Sequence, residues 1–321
     1  IKNALINMNV QFGSIEDAQL SFDSLSERDA ISWTAMITAL AEHGKTSEAL
    51  LYYVQMQEEG KKPNEVSFVN ILCACATQVA LVEGRLLHTC IVENGLGISI
   101  DVGNALINLY GKCGRVVYAR TVFDRMTSQD IVSWNAMITT YAQNRYSHMA
   151  LFLFNEMLYR GIKPNNISFV CALDACTSLE LLLEGKKVHA LVTNSGVVQD
   201  ISLGNTLLNM YGKCGGILEA EHTFYASAER DSILYNVMLS TYVEQGSGEM
   251  KALELFQEMQ ERGIFLEDDS AYVSILRACS DMGSVELCRQ IHHSILWIRD
   301  GLNRLLGASL IHAYGNCMTA V

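Results

Sequence analysis

An all-α solenoid of tandem helix-turn-helix hairpins is the fold class that this sequence predicts, and three observations carry it. The stretch NALINLYGKCG at residues 104 to 114 returns as NTLLNMYGKCG at 205 to 215 and stands earlier as NALINMNVQFG at 3 to 13, a step of 101 residues each time. A weaker copy, ASLIHAYGNC, begins at Ala308, two residues later than that step requires. Apolar residues also recur at helical spacing along almost the whole chain, and only two of the 321 residues are proline, so helix is permitted nearly everywhere. Self-similarity at a fixed period describes units that bury their apolar faces on one another in series. A single array over residues 1–321 is therefore expected, although length alone would suggest two or three domains.

The elements follow in order. After a partial unit at 1–29, residues 30–64 hold two amphipathic segments separated by Gly44 and closed by Gly60 before Pro63. Met36, Ile37, Leu40 and Ala41 form the apolar stripe of the first segment; Ala49, Leu50, Tyr53 and Met56 form that of the second. The two glycines stand where helices end in a left-handed residue, and Thr46 or Ser47 is the expected cap of the second helix. Residues 65–99 repeat this plan, and residues 100–130 repeat it with a shorter second helix. A second cycle covers 131–165, 166–200 and 201–231; a third covers 232–268, 269–303 and a partial unit at 304–321. The two displaced residues are assigned to insertions in EQGSGEMKALELF and in GIFLEDDSAY. One hairpin cannot bury its own apolar face, whereas stacked neighbours gain roughly 1.5–3 kcal/mol for each large side chain withdrawn from water.

Composition narrows the function. Half the residues are apolar, which argues against disorder, and no apolar run approaches the roughly 18 residues that span a bilayer. No membrane partner is expected. The net charge of −12 argues, by itself, against holding nucleic acid through phosphate neutralisation. Part of that acid, as Glu48, Glu58, Glu59, Glu156, Glu254, Glu258 and Glu261, falls on second helices, which would line the outer face of a stacked array. Cys75, Cys176 and Cys279 occupy one repeat position and Cys113, Cys214 and Cys317 another, with no C-x-x-C pair. These are expected to be reduced packing residues in a reducing compartment, and no metal is expected. His88, His189 and His292 share one position, as do Trp33, Trp134 and Tyr235, so they too read as scaffold. The chain opens inside one unit and stops inside another, which reads as part of a longer protein, and no targeting segment is visible.

The alternation of 35, 35 and 31 residues, with SWNAMIT, FVCALDAC, GNALINLYGKCG and GIKPN recurring in register, resembles the plant pentatricopeptide repeat proteins of the class that mixes three repeat variants, P, L and S. The resemblance covers the whole chain. It implies a right-handed superhelix that binds single-stranded RNA in a mitochondrion or chloroplast, one nucleotide for each repeat, without a cofactor. It also implies that a base is read by the fifth residue and the last residue of a repeat. Carried over, the pairs are Asn3 with Asp29, Thr34 with Asn64, Asn104 with Asp130, Asn135 with Asn165, Asn205 with Asp231 and Asn236 with Asp268. In the family, Asn with Asp favours uracil, Thr with Asn adenine, and Asn with Asn cytosine. An amide both donates and accepts, so it can meet a pyrimidine edge, while a shorter Thr leaves space for a purine.

Apolar residues at the second position flank each base in the family, a role that Ile31, Val66, Val132, Ile167 and Ile233 match and that Asp101 and Ser202 do not. Val69, Val170 and Val273 at the fifth position cannot hydrogen-bond a base, so little selectivity is expected there. The polar residues near helix starts are equally suited to capping, and Asp29, Asp130 and Asp231 suit both roles. The subclass generally supplies site choice for transcript processing such as cytidine-to-uridine editing. No His-x-Glu with a later Cys-x-x-Cys occurs here, so deaminase chemistry would come from an extension or from a partner, an editing deaminase or accessory editing protein. No Gly-rich phosphate loop, G-x-S-x-G or H-E-x-x-H is present either, which leaves the chain without a legible enzyme motif. The alternative is a protein-binding scaffold of helical repeats, which would suit the negative charge but not the polar pairs in a 35, 35, 31 cycle.

Overall fold

The computed structural model describes residues 6, 8–9, 14–25, 27–93, 98–197, 200–227, 230–244, 248–264, 269–298 and 304–319. The chain divides into two compact units, Ile1–Pro164 and Asn165–Val321. All regular structure among the described residues is helical, as the repeat predicts. The first unit holds α1 (Ile15–Asp23), α2 (Ala30–Glu42), α3 (Thr46–Glu58), α4 (Glu65–Thr77), α5 (Leu81–Glu93), α6 (Ile100–Lys112), α7 (Val116–Arg125), α8 (Ile131–Gln143) and α9 (Ser147–Tyr159). The second holds α10 (Asn166–Ser178), α11 (Leu182–Ser195), α12 (Ile201–Lys213), α13 (Ile217–Ala226), α14 (Ser232–Glu244), α15 (Glu249–Glu261), α16 (Asp269–Asp281), α17 (Val285–Ile298) and α18 (Arg304–Thr319). No helix among the described residues is long and apolar enough to cross a membrane.

Within each unit the first helices of successive hairpins pack on one another, α2 on α4, α4 on α6 and α6 on α8, then α10 on α12, α12 on α14, α14 on α16 and α16 on α18. Each of the second helices α3, α5, α7, α11, α13, α15 and α17 packs on its own first helix and on the next one. This arrangement puts the first helices side by side in a row within each unit, which is where the candidate site lies. Small residues permit the close approach. A Cβ added at Gly111 or Gly212 would run into Thr140 or Thr241 on the neighbouring first helix.

Caps at the two helix types differ. First helices begin with a side-chain oxygen accepting the third residue's N–H, as at Asp29 from Ser32 (2.7 Å), Asn64 from Ser67 (2.9 Å) and Asp200 from Leu203 (2.8 Å). Second helices α3, α7, α9, α11, α13 and α15 lack such a cap, whereas Ser14 and Ser284 supply one to α1 and α17. The expectation for Thr46 and Ser47 is corrected, because Lys45 holds the cap position with no side-chain hydrogen bond. Thr46 is the first helical residue, is buried, and donates its hydroxyl to the Ala74 carbonyl at 3.4 Å. The reason is the tight turn. Lys45 N–H already closes on the Leu40 carbonyl at 2.9 Å around Gly44 (φ +73°), so one helix follows the other with no spare residue. The two expected insertions lie at 245–247 and 265–268, outside the described residues.

At the corresponding turn of the middle hairpins Val79 has φ +56° and Glu180 has φ +54°, whereas the third cycle places Gly283 there with φ +65°. A β-branched side chain is strained in that region. Val79 is largely exposed and gives up little packing, so Val79→Gly is expected to raise stability by about 1 kcal/mol in thermal or urea unfolding. An unchanged or lowered stability would show that the turn is unstrained.

The shared histidine position acquires a partner. His88 Nδ1 lies 2.8 Å from Tyr110 Oη and His189 Nδ1 2.7 Å from Tyr211 Oη, each bond tying a second helix to the next first helix. Burial, with Arg125 adding at His88 and His222 at His189, holds both imidazoles below their ordinary pKa. The fold therefore favours the neutral ring while the unfolded chain takes up a proton near about pH 6.5. Stability is full above that pH and is lost as pH falls through it. Melting temperature should drop between about pH 7 and pH 5, and the drop should shrink in a His88→Gln, His189→Gln double variant. A drop of equal size in the variant would assign the effect to other groups.

Cys75, Cys176 and Cys279 are buried, and burial pushes each thiol up to about 12. All ten cysteines are free thiols; Cys75, Cys171, Cys176, Cys279, Cys288 and Cys317 are buried, Cys90, Cys113 and Cys214 are half-buried, and Cys73 is exposed.

Candidate functional site

A groove of about 600 Å³ crosses the row of first helices in the first unit, lined by Val66, Val69 and Cys73 of α4, Asp101, Asn104 and Asn108 of α6, and Val132, Thr139 and Gln143 of α8. It collects residues assigned to base reading and to base flanking. Asn104 and Asp130, a pair assigned from the sequence, lie near enough for the Asn104 amide to help hold the Asp130 carboxyl down. Asp130 also accepts from Ser133 N–H and from Ser133 Oγ, both at 2.9 Å. Burial raises the Asp130 pKa, but those bonds and the Asn104 amide outweigh it and hold the carboxyl below its usual value.

An ionised carboxylate only accepts, so the Asn104 atom facing Asp130 is the amide nitrogen. The carboxylate thus fixes which way the amide points. Asn104 Oδ1 is buried and meets no donor, and the same holds for Asn205 Oδ1 one cycle later. An acceptor kept from water without a partner costs about 1–3 kcal/mol, which a donor supplied by a ligand would recover. Asp231, the assigned partner of Asn205, caps α14 by accepting from Leu234 N–H at 2.8 Å.

Thr34 and Asn64 meet through a third residue. Ser67 Oγ lies 2.8 Å from Thr34 Oγ1 and 2.9 Å from Asn64 Oδ1, so a relay of hydroxyls joins the two assigned readers. Thr34 Oγ1 also lies 2.7 Å from the Ala30 carbonyl. Ser67 escaped the sequence reading. Its signal was present, because serine recurs as the third residue of a first helix at Ser32, Ser67, Ser133 and Ser168.

Asn135 belongs to the first unit, where it is 6% exposed, and Asn165 to the second, where its Oδ1 accepts from Ser168 N–H and Oγ at 3.1 Å. Asn236 lines a smaller cavity of about 290 Å³ with Lys213, Ser240 and Glu244. Asn3 and Asp268 lie outside the described residues. The capping role anticipated for the last residues is present at Asp29, Asn64, Asp130, Asn165 and Asp231.

Ile31, Val66, Val132, Ile167 and Ile233 share one register position and are 53–64% exposed on helices whose other apolar residues are mostly buried. Apolar surface left in water at a fixed position of these five first helices is available to an incoming flat group. Lysines at the C-terminal ends of two other first helices, α6 and α12, add a feature absent from the sequence reading. Lys112 is exposed and faces no acid, since Gln143 stands where the second unit has Glu244, while Lys213 pairs with Glu244 at 2.6 Å.

A family model described as PPR repeat family matches residues 28–77 and 129–178, and one described as PPR repeat matches 104–131 and 233–264. Among curated proteins the chain is similar to a chloroplastic pentatricopeptide repeat-containing protein of Arabidopsis thaliana, 37% identical over 286 residues that cover 89% of this chain and 35% of the relative. It is also similar to a mitochondrial protein of that name from the same plant, 37% identical over 262 residues, 82% of this chain and 41% of the relative. The chain thus spans less than half the length of these two relatives. Among solved structures it is similar to the pentatricopeptide repeat protein PPR10 in complex with an 18-nt psaJ RNA element, with a TM-score of 0.71 and 20% identity, covering 98% of this chain and 46% of that one. The crystal structure of PPR10 from maize gives a TM-score of 0.58 at 17% identity, over 99% of this chain and 52% of that one. Both are likenesses of fold.

Proposed function

The chain is a pentatricopeptide repeat protein, and from that premise we propose that it binds single-stranded RNA by sequence, one nucleotide for each repeat, along the row of first helices. The observation that carries the reading is Asn104 in the groove, near its assigned partner Asp130 and with its Oδ1 left without a donor. Uracil offers an N3–H donor where cytosine offers an acceptor, so an amide whose oxygen is free favours uracil. An Asn in place of the Asp, as at Asn165, both donates and accepts and releases the reading amide to turn the other way, which suits cytosine. Exposed Val66 and Val132 supply apolar surface on which a base can lie. The solved relative in complex with an RNA element supports the same class of partner.

The proposed role is recognition of sites in organellar transcript processing, with cytidine-to-uridine editing the leading case, and the relatives named chloroplastic and mitochondrial support the organellar part of that reading. The chemistry would come from a deaminase or accessory editing protein or from a further part of the same protein. Selection from random RNA at moderate salt is expected to enrich 5'-U-A-n-U-C-n-U-U-n-3', where n marks the repeats that carry Val69, Val170 and Val273. Equal recovery of all sequences, or no binding at low salt, would contradict the proposal. With a net charge of −12, the slope of log affinity against log salt should be shallower than about 0.7 for each phosphate covered.

A further inference from the structure

Three successive cycles place different residues at one contact between a second helix and the following first helix. Gly84 and Gly185 lie against Leu109 and Met210, so closely that an added Cβ would overlap those side chains. In the third cycle the register holds Cys288 against Ala313, both buried. The size exchange opens just enough room for a thiol, and that thiol lies beside a second one. Cys288 Sγ is 3.7 Å from Cys317 Sγ, and both residues are 0% exposed. Cys317 itself belongs to the scaffold position that recurs through the chain: its Sγ lies 3.6 Å from the Cys279 carbonyl, as Cys214 Sγ lies 3.8 Å from that of Cys176. Cys288 is the added member. Packing alone would be served by the glycine of the earlier cycles, so the cysteine supplies chemistry that the other cycles lack at this contact.

We propose that Cys288 and Cys317 form an oxidisable dithiol, a modification site at which a small disulfide such as oxidised glutathione generates a bond pinning α17 to α18. In the first step one cysteine thiolate attacks the small disulfide, forming a mixed disulfide and expelling one small thiolate, which takes up the proton the cysteine gave up. In the second, the other cysteine's thiolate attacks the protein-side sulfur of the mixed disulfide and expels the second small thiolate, which is protonated in turn. The protein loses two hydrogens and the small disulfide is reduced to two thiols. The sulfurs must close from 3.7 Å to about 2.05 Å. Both residues are 0% exposed and burial pushes the Cys288 thiol up to about 12, so the exchange waits on local opening of the contact between α17 and α18, is slow at neutral pH and is faster as pH rises.

The test uses the folded 321-residue chain, incubated with excess oxidised glutathione at mildly alkaline pH, then alkylated and digested for mass spectrometry. A peptide linking Cys288 to Cys317, lighter by two hydrogens and split by reductant, is expected, together with a rise in melting temperature on the order of 5 °C. Cys288→Gly, which restores the residue of the earlier cycles, should abolish both the link and the rise. Recovery of Cys288 and Cys317 as separate alkylated or glutathionylated peptides would overturn the proposal, as would a melting temperature that shifts equally in the variant. RNA is absent from the measurement, so its outcome is independent of the proposed base reading.

Discussion

Trp134→Ala is expected to lower the stability of the first unit by about 3–5 kcal/mol. Trp134 is 1% exposed and stands at the junction where the short helix α7 hands over to α8. Its ring meets Phe123 edge to face, with centroids 5.2 Å apart, and the Arg160 guanidinium lies 5.1 Å from its centre. The same pairing recurs as Phe22 with Trp33 and Phe224 with Tyr235, so the aromatic contact is the joint between cycles. Removing it leaves a cavity that two packed helices cannot collapse, a large loss for a unit whose total stability is about 5–15 kcal/mol. Trp134→Phe separates ring from indole. Trp134 Nε1 is buried with no acceptor, so losing that donor offsets part of the lost volume, and the variant should stay within about 1.5 kcal/mol of wild type. Urea unfolding followed by helical circular dichroism measures both. An alanine variant within about 1 kcal/mol of wild type would remove this contact from the account of stability.

The hairpins were legible because their punctuation is chemical: Gly44, Gly60 and Gly114 take the positive φ that ends a helix, and a 101-residue recurrence is visible by eye. Where a turn uses Val79, Arg145 or Glu180 at positive φ, nothing in the residue type announces it, and only the register of the repeat points there. Caps on second helices were misread because Thr46 looks like a cap in isolation, while the tertiary turn at Lys45 leaves it inside the helix. At the site, the pairing of Asn104 with Asp130 was reached through the resemblance, yet the direction of the amide depends on a carboxylate 26 positions along the chain and needs coordinates. The exchange of Arg28 for Gln129, with Arg160 crossing from another helix to cover Trp134, was likewise invisible, because a compensation between distant positions has no local pattern.

Thr34→Asn is expected to move the preference of one repeat from adenine to cytosine. Thr34 is 8% exposed, and its short hydroxyl leaves room for the larger ring, whereas an amide reaches further and meets the edge of a pyrimidine. The change makes a copy of a unit already present, since Asn135 stands one cycle later at the same register, is 6% exposed, and has Ser168 in the place of Ser67. The fold therefore has a precedent for Asn at this position, and helical content and melting temperature should be retained. By analogy with bidentate base contacts, the swing in preference is on the order of 1–3 kcal/mol.

The deciding measurement is a competition between two RNAs that differ only at the second predicted nucleotide, adenine or cytosine, run on wild type and Thr34→Asn at one salt concentration. Wild type should favour adenine and the variant cytosine, the ratio of adenine to cytosine affinity changing between them by roughly 5- to 150-fold. If both proteins bind RNA and rank the two sequences alike, residue 34 does not read the base, and the assignment of one nucleotide to each repeat in this register is wrong.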